Sequence, residues 1–144
     1  MKKFTLIDKA FLLKKTLLFG TLDLDILLAI ADKLQEITFV DEETIFGVGE
    51  EAFRMFFIVQ GQVDICDANH QHVTIIDRDE FFGDESMFNE KPRAYYAISK
   101  GHTSLLALSR TNLLTIISEC PSVAMGFLQA YTSTTSFRPR KNGL

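Results

Sequence analysis

The sequence has no tryptophan, only two cysteines and only three prolines. Cys66 and Cys120 lack the paired spacing of a zinc or redox motif, which favours free thiols in a reducing, cytoplasmic compartment. An uncharged stretch of the roughly 18 residues that a membrane-spanning helix needs is also missing. Charged residues such as Asp8 and Lys9 interrupt the apolar run that a signal peptide would require after Met1. We therefore predict neither a membrane segment nor a signal peptide.

Positive charge is also scarce. Fifteen lysines and arginines stand against 19 aspartates and glutamates, for a net charge of -4. Basic clusters occur only near the two ends, at 14–15 and 138–141. No basic field exists to attract a nucleic acid, so we predict no nucleic-acid partner. With 144 residues, 47% of them hydrophobic and 24% charged, the chain is typical of a single globular domain.

Hydrophobic periodicity divides the chain into three parts. Residues 4–35 follow a helical period, whereas 36–109 read as short strands separated by turns about every ten residues. The helical period returns over 111–134, where Thr111 or Asn112 can cap the first helix. The tail, 135–144, has no apolar face and is expected to fray. This order predicts an α+β fold, mainly β, with a sandwich or barrel between helices.

One polar segment, 81–94, interrupts the strand pattern. Gly83 allows the backbone to approach a ligand closely. Residues 84–86 suit the first turn of a short helix, whose free N–H groups attract phosphate. Arg93 follows the stiff Pro92, and a guanidinium can bind two phosphate oxygens at once. A carboxylate beside a phosphate site fits a ligand that also carries hydroxyl groups, such as a ribose. A surface turn with a solvated arginine is the alternative.

The segment resembles the phosphate-binding cassette of the cyclic nucleotide-binding domain family. That cassette reads F-G-E, a hydrophobic stretch, then P-R and two small residues. Phe82-Gly83-Asp84 and Pro92-Arg93-Ala94 fall at the family's spacing without a gap. Further similarity lies at 17–22, 45–50, 56–63 and 109–114, so that the resemblance covers roughly 13–134. It implies an eight-stranded antiparallel β-roll, jelly-roll-like, flanked by N-terminal helices and two C-terminal helices.

The resemblance also implies a role for each cassette residue. Arg93 would pair with the cyclic phosphate. Asp84 occupies the position of the family's glutamate, which binds the ribose 2′-hydroxyl group. Gly83 and the N–H groups around Glu85 and Ser86 would surround the ribose and phosphate. The implied ligand is a cyclic nucleotide, with no cofactor and no metal.

Three positions bear on which ligand binds, and on whether any ligand binds at all. Ala94 stands where cGMP-preferring members often have threonine, so the resemblance favours cAMP. Tyr95 stands where the family has a small residue, and its ring could cover the purine, close the pocket or point into the core. Asp84 is one methylene shorter than glutamate, so its carboxylate reaches less far. The alternative to a nucleotide sensor is therefore a degenerate fold that serves as a protein-interaction scaffold.

The family also suggests how a signal would leave the domain. Its C-terminal helix swings to cover the base, which here implies a lid over 122–134 with Phe127, Leu128 and Tyr131. Catabolite-activator-like members carry a helix-turn-helix beyond this lid, whereas this chain ends about ten residues after it. We therefore expect an unidentified effector protein as partner, as for a kinase regulatory subunit. Apolar residues on the terminal helices permit a homodimer.

Catalysis is not expected, because no metal cluster or acid–base pair is apparent in the sequence. A phosphodiesterase is the third reading, and formation of product from a cyclic nucleotide would revive it.

Overall fold

The computed structural model describes residues 4–133, which form helices and strands that pack into one antiparallel sheet. The helices are α1 (Leu6–Lys15), α2 (Leu24–Ala31), α3 (Ser86–Asn89), α4 (Arg110–Glu119) and α5 (Ser122–Ser133). The strands are β1 (Gln35–Phe39), β2 (Thr44–Phe46), β3 (Arg54–Cys66), β4 (His72–Ile76), β5 (Phe81–Phe82) and β6 (Tyr96–Ser109). The predicted α+β class, mainly β, is confirmed; Thr134 and the tail over 135–144 lie outside the described residues.

A side-chain cap marks the beginning of α1, whereas α2 begins without one. Thr5 and Asp8 form a capping box at α1, in which Thr5 Oγ1 accepts from the Asp8 N–H at 3.1 Å and Asp8 Oδ2 accepts from the Thr5 N–H at 2.9 Å. Asp23 precedes α2, as the sequence pattern predicts, but its side chain makes no capping hydrogen bond. Both helices lie within the segment where the helical period is read.

All the strand pairs are antiparallel, in the order β1-β6-β3-β4, with β2 paired to β6 and β5 paired to β3. The family resemblance implies eight strands, whereas the structure describes six between residues 4 and 133. The difference arises at Gly61 and Gly101, where the pattern indicates strand ends. Both glycines adopt positive φ, 89° and 73°, inside β3 and β6. Each long strand therefore bends at its glycine and continues as one strand.

Adjacent phenylalanines on β3 face two different hydrophobic clusters. Phe57 packs in the cluster that joins the sheet to α1, α2, α4 and α5, together with Phe19 and Phe127. Phe56 belongs to a second cluster, the roll cluster, whose buried members are Phe46, Phe56, Ile58, Val63, Ile65, Phe82, Ala97, Leu105 and Ala107. The cassette connects the two, since Phe82 lies in the roll cluster and Met87 in the helical one.

Ser109, rather than the predicted Thr111 or Asn112, caps α4. Its Oγ accepts a hydrogen bond from the Asn112 N–H at 3.0 Å. Replacing Ser109 with alanine is expected to lower the free energy of unfolding by about 1 kcal/mol, because the N–H loses its partner. Urea denaturation measures the change. Ser109→Asp, which keeps a capping oxygen, should remain close to wild type, and an alanine variant as stable as wild type would contradict the assignment.

Two further sequence predictions can be compared with the structure. Cys66 and Cys120 are both free thiols, the first buried and the second half-buried. Between residues 4 and 133, no single helix has the length and apolar character to span a membrane. Helices α4 and α5 have that length and apolar character only when they are taken together, and a bend of 113° separates them.

Candidate functional site

The cassette begins where β5 ends. Gly83 follows the strand with φ of 80°, a conformation that favours glycine. A Cβ atom at this position would lie 3.0 Å from Arg93 Nη1, so a side chain would also crowd the arginine. The predicted short helix is present as α3, and it is followed by an extended segment that leads to Arg93.

Arg93 is a buried cation, with only 5% of its surface exposed. Its Nη1 donates to the Gly83 carbonyl at 2.8 Å and its Nη2 donates to the Arg54 carbonyl. The guanidinium carbon lies 4.0 Å from the centre of the Phe46 ring. Arg93 Nε is buried without a hydrogen-bond partner. Among the described residues, no carboxylate forms a salt bridge with this arginine.

The surroundings of the Arg93 guanidinium favour the binding of an anion. Burial lowers the pKa of Arg93 from its usual value, although an arginine remains protonated at physiological pH. A buried charge is costly unless a counter-charge compensates it. Carbonyl dipoles and the Phe46 ring supply only part of that compensation. An anion against the guanidinium would supply the rest, and its oxygens could accept from Nε.

A backbone clamp positions Arg93 from the other side. Its N–H donates to the Glu50 carbonyl and its own carbonyl accepts from the Gly49 N–H, each at 2.8 Å. The Glu50 side chain closes the turn by accepting from the Gly47 N–H at 3.0 Å. The role of Glu50 was missed from the sequence, although the glycine turn over 45–50 is part of the resemblance.

Tyr95 lies against the same glycine as Arg93. The Gly83 N–H donates to the Tyr95 hydroxyl at 3.0 Å, and that hydroxyl donates to Glu85 Oε1 at 2.9 Å. Its ring centre is 5.3 Å from that of Phe46, next to the roll cluster. Burial and the nearby Glu85 carboxylate raise the pKa of Tyr95. Of the three placements that the sequence leaves open, the structure shows the ring beside the core with its hydroxyl on the cassette.

Helix α5 contacts the cassette through two aromatic side chains. The Tyr131 hydroxyl donates to Asp84 Oδ2 at 2.7 Å, and the Asp84 residue is buried. Burial and this hydrogen bond raise the pKa of Tyr131. Phe127 meets Phe88 edge-on at 5.1 Å between ring centres. Leu128, the remaining predicted lid residue, is exposed.

The structure therefore brings most of the predicted site residues together. Gly83, Glu85, Arg93 and Tyr95 share one contact network, and Asp84 faces α5. Ser86 is buried at the start of α3, whereas Ala94 is exposed on the extended segment that holds Arg93.

A cavity of about 250 Å³ adjoins the arginine. It is lined by Ile45, Phe46, Glu50, Glu51, Phe53, Arg54, Phe56 and Arg93. Small-molecule pockets usually span roughly 300–1,000 Å³, so this cavity is slightly smaller than is usual for such ligands. Neither Tyr95 nor Asp84 lines this cavity.

Glu85 gives the site a pH-dependent stability. Glu85 is exposed as a residue, but partial desolvation of its carboxylate, followed by the charge of Asp84, raises its pKa above the usual value. An acid whose pKa is raised on folding stabilises the folded chain at low pH and loses that contribution as the pH rises through its folded pKa. We therefore expect Glu85→Gln to gain stability relative to wild type as the pH increases from roughly 4 to 7.

Urea denaturation of both proteins at several pH values measures this gain. Glu51→Gln, at an exposed position outside the contact network, controls for the general loss of one carboxylate. A stability difference between Glu85→Gln and wild type that stays constant over the pH range would contradict the assignment.

The histidines and acidic residues that the structure describes do not form a metal site. Within 4–133, no group of three or more histidine, cysteine, aspartate or glutamate side chains could hold a metal ion. His72 instead pairs with Asp64, with 2.6 Å between Nδ1 and Oδ1. The His70 ring stacks on Tyr96 at 4.3 Å between centres.

Comparisons with known proteins place this geometry in context. A curated relative, the CRP-like cAMP-activated global transcriptional regulator of Mycobacterium tuberculosis, is 27% identical over 105 residues, which cover 70% of this chain and 47% of the relative. The chain thus spans about half the length of the curated relatives it matches.

Solved structures share the fold. The N-terminal domain of a transcriptional regulator from Streptomyces coelicolor A3(2) is 23% identical, with a TM-score of 0.74 over 85% of this chain and 89% of that one. The regulatory domain of Toxoplasma gondii PKA, solved with cAMP, is 20% identical, with a TM-score of 0.78 over 90% of this chain and 49% of that one.

The family comparison covers the sheet, the cassette and α4. The cyclic nucleotide-binding domain family matches residues 36–120, more than half of the chain. The matched segment contains the buried Arg93, its backbone clamp and the Gly83 turn. The protein therefore belongs to the cyclic nucleotide-binding domain family.

Proposed function

We propose that this chain binds a cyclic nucleotide, cAMP in preference to cGMP, and communicates binding to a separate protein. The observation that carries the proposal is the buried Arg93 guanidinium, which has no salt-bridge partner among the described residues and leaves Nε without a hydrogen bond. A cyclic phosphate carries one negative charge and two exocyclic oxygens, which suit a guanidinium. The buried Asp84 carboxylate, on the same turn, would accept from a ribose hydroxyl group.

The preference for cAMP rests on two arguments. Ala94 offers no hydroxyl group to the amino group of guanine. The Mycobacterium relative is named as cAMP-activated, and the Toxoplasma domain was solved with cAMP. We extend that ligand to this chain as part of the proposal.

In this proposal, a change in the position of α5 transmits nucleotide binding to the partner protein. A ribose at Asp84 would compete with or reorganise the hydrogen bond from Tyr131, and this change would reposition the helix relative to Phe88. A nucleotide shifts such an equilibrium only by its difference in affinity for the two positions of the helix. The moved surface of α5 would then be read by an effector protein. In this proposal the domain regulates and does not catalyse.

A second candidate is a scaffold that keeps the fold without binding nucleotide. The observation that favours it is the aromatic packing around the arginine: Phe46, Phe56 and Phe82 lie 5.2–6.1 Å apart between ring centres, and Tyr95 adjoins Phe46. The small cavity beside Arg93 agrees with this reading.

Isothermal titration calorimetry separates the two candidates. We expect cAMP to bind with a dissociation constant in the micromolar range or tighter, cGMP to bind more weakly, and adenosine, which lacks phosphate, to give no heat. Folded protein that gives no heat with cAMP or cGMP at millimolar concentration would exclude the sensor and favour the scaffold. Bound nucleotide is removed beforehand by unfolding and refolding, and its absence is checked by absorbance.

A further inference from the structure

The hydroxyl group of Tyr95 accepts the hydrogen bond of the Gly83 N–H, a donor that the proposed ligand would need. The same hydroxyl group donates to Glu85. On the other side of the same glycine, Arg93 binds the carbonyl. Tyr95 and Arg93 therefore hold one peptide segment of the cassette from both ends.

A nucleotide and Tyr95 would compete for this segment. One N–H group makes one well-directed hydrogen bond, so an oxygen of the ribose or phosphate can use the Gly83 N–H only after the tyrosine hydroxyl has left it. The ring is half-buried and fills space between the cassette and Phe46, whose own ring also contacts the Arg93 guanidinium. Displacing the side chain would free both the donor and that space.

The contacts of Tyr95 differ from those of an ordinary core side chain. Its hydroxyl group forms hydrogen bonds with Gly83 and Glu85 of the cassette, although the residue directly precedes strand β6. The next residue, Tyr96, provides the contrast: its ring stacks on His70 in the β3–β4 connection, away from the cassette. Tyr95, which directly precedes β6, and Tyr96, the first residue of β6, thus have different surroundings, and only Tyr95 hydrogen-bonds to the cassette.

We propose that Tyr95 gates nucleotide binding at the cassette: its hydroxyl group holds the Gly83 turn and Glu85 together, and a cyclic nucleotide binds only when the side chain swings away. This inference rests on the proposed function and adds the residue that sets its affinity. The apparent affinity is proportional to the fraction of molecules with the gate open, so a gate that is mostly closed lowers it. Removing the hydroxyl group removes two hydrogen bonds that favour the closed position, so affinity should rise by about tenfold.

The test compares cAMP binding by wild type, Tyr95→Phe, Tyr95→Ala and Tyr96→Phe, each measured by calorimetry. Tyr95→Phe keeps the ring and its packing, so it is expected to fold, and folding of each variant is checked by circular dichroism. We expect Tyr95→Phe to bind about tenfold more tightly than wild type and Tyr95→Ala at least as tightly as Tyr95→Phe. Tyr96→Phe is the matched control and should bind within about twofold of wild type.

The outcomes distinguish the gate from the proposed function. If wild type binds cAMP and Tyr95→Phe binds with equal or lower affinity, the gate is overturned while the nucleotide sensor stands. If Tyr96→Phe gains as much affinity as Tyr95→Phe, the effect is not specific to the cassette and the gate is also overturned. If none of the four folded proteins binds cAMP or cGMP at millimolar concentration, the proposed function fails and the gate fails with it.

Discussion

Replacing Arg93 with alanine is expected to weaken cAMP binding by at least about a hundredfold. The guanidinium would make two charge-assisted hydrogen bonds to the cyclic phosphate, each contributing about 1.5–3 kcal/mol. Because each 1.4 kcal/mol corresponds to roughly tenfold in affinity, loss of both bonds exceeds two orders of magnitude. Calorimetric titration of the folded variant with cAMP measures the loss.

Two controls make this result specific. Arg93→Lys keeps a positive charge but loses the planar pair of donors, and should bind with an affinity between wild type and Arg93→Ala. Arg78→Ala removes an arginine that lines a different cavity, near Phe4 and Val59, and should bind like wild type. Binding by Arg93→Ala at wild-type affinity would place the nucleotide elsewhere and contradict the assignment of the cassette.

The second large effect is expected at Gly126, in the middle of α5. Glycine to alanine usually stabilises a helix by about 0.8–1 kcal/mol. Here, however, a Cβ atom would lie only 2.0 Å from the carbonyl oxygen of Leu18, a backbone atom that cannot turn aside. The helix would have to move away from the N-terminal segment, where Phe127 packs on Phe19 at 5.9 Å between ring centres. We expect a loss of about 1–3 kcal/mol or more in the free energy of unfolding.

Urea denaturation of Gly126→Ala measures the loss. Gln129→Ala lies on the exposed side of the same helix and should stay within about 0.5 kcal/mol of wild type. Because α5 also carries Tyr131, the displaced helix should lose its hydrogen bond to Asp84. A Gly126→Ala variant that is more stable than wild type would show that α5 does not pack against Leu18 as described.

The parts of the site that are local in sequence could be predicted from it. Gly83, the short helix and Arg93 belong to one segment, and the chemical demands of a phosphate site fall on adjacent residues. The burial of Arg93 and its missing counter-charge could not be predicted. They depend on carbonyls from Gly83 and Arg54 and on the Phe46 ring, which only the folded sheet brings together.

Contacts between residues far apart in the sequence could not be predicted for the same reason. Tyr131 is 47 residues from Asp84, and no periodicity in the sequence indicates which helical side chain reaches the cassette. Tyr95 could be singled out as unusual, but its hydrogen bond to the Gly83 N–H required the structure. The strand count differs because Gly61 and Gly101 look like strand ends, whereas pairing of the flanking residues carries each strand through its glycine.

The proposed function depends on the binding of a cyclic nucleotide at the cassette, against Arg93. Nitrogen–proton correlation NMR spectra recorded during a cAMP titration test it most directly, because each backbone N–H reports its own surroundings. We expect the largest shifts at the N–H groups of Gly83, Glu85, Ser86, Arg93 and Ala94, followed by shifts along α5. Spectra that remain unchanged at millimolar cAMP, or shifts confined to the cavity around Phe4, Val59 and Arg78, would contradict it.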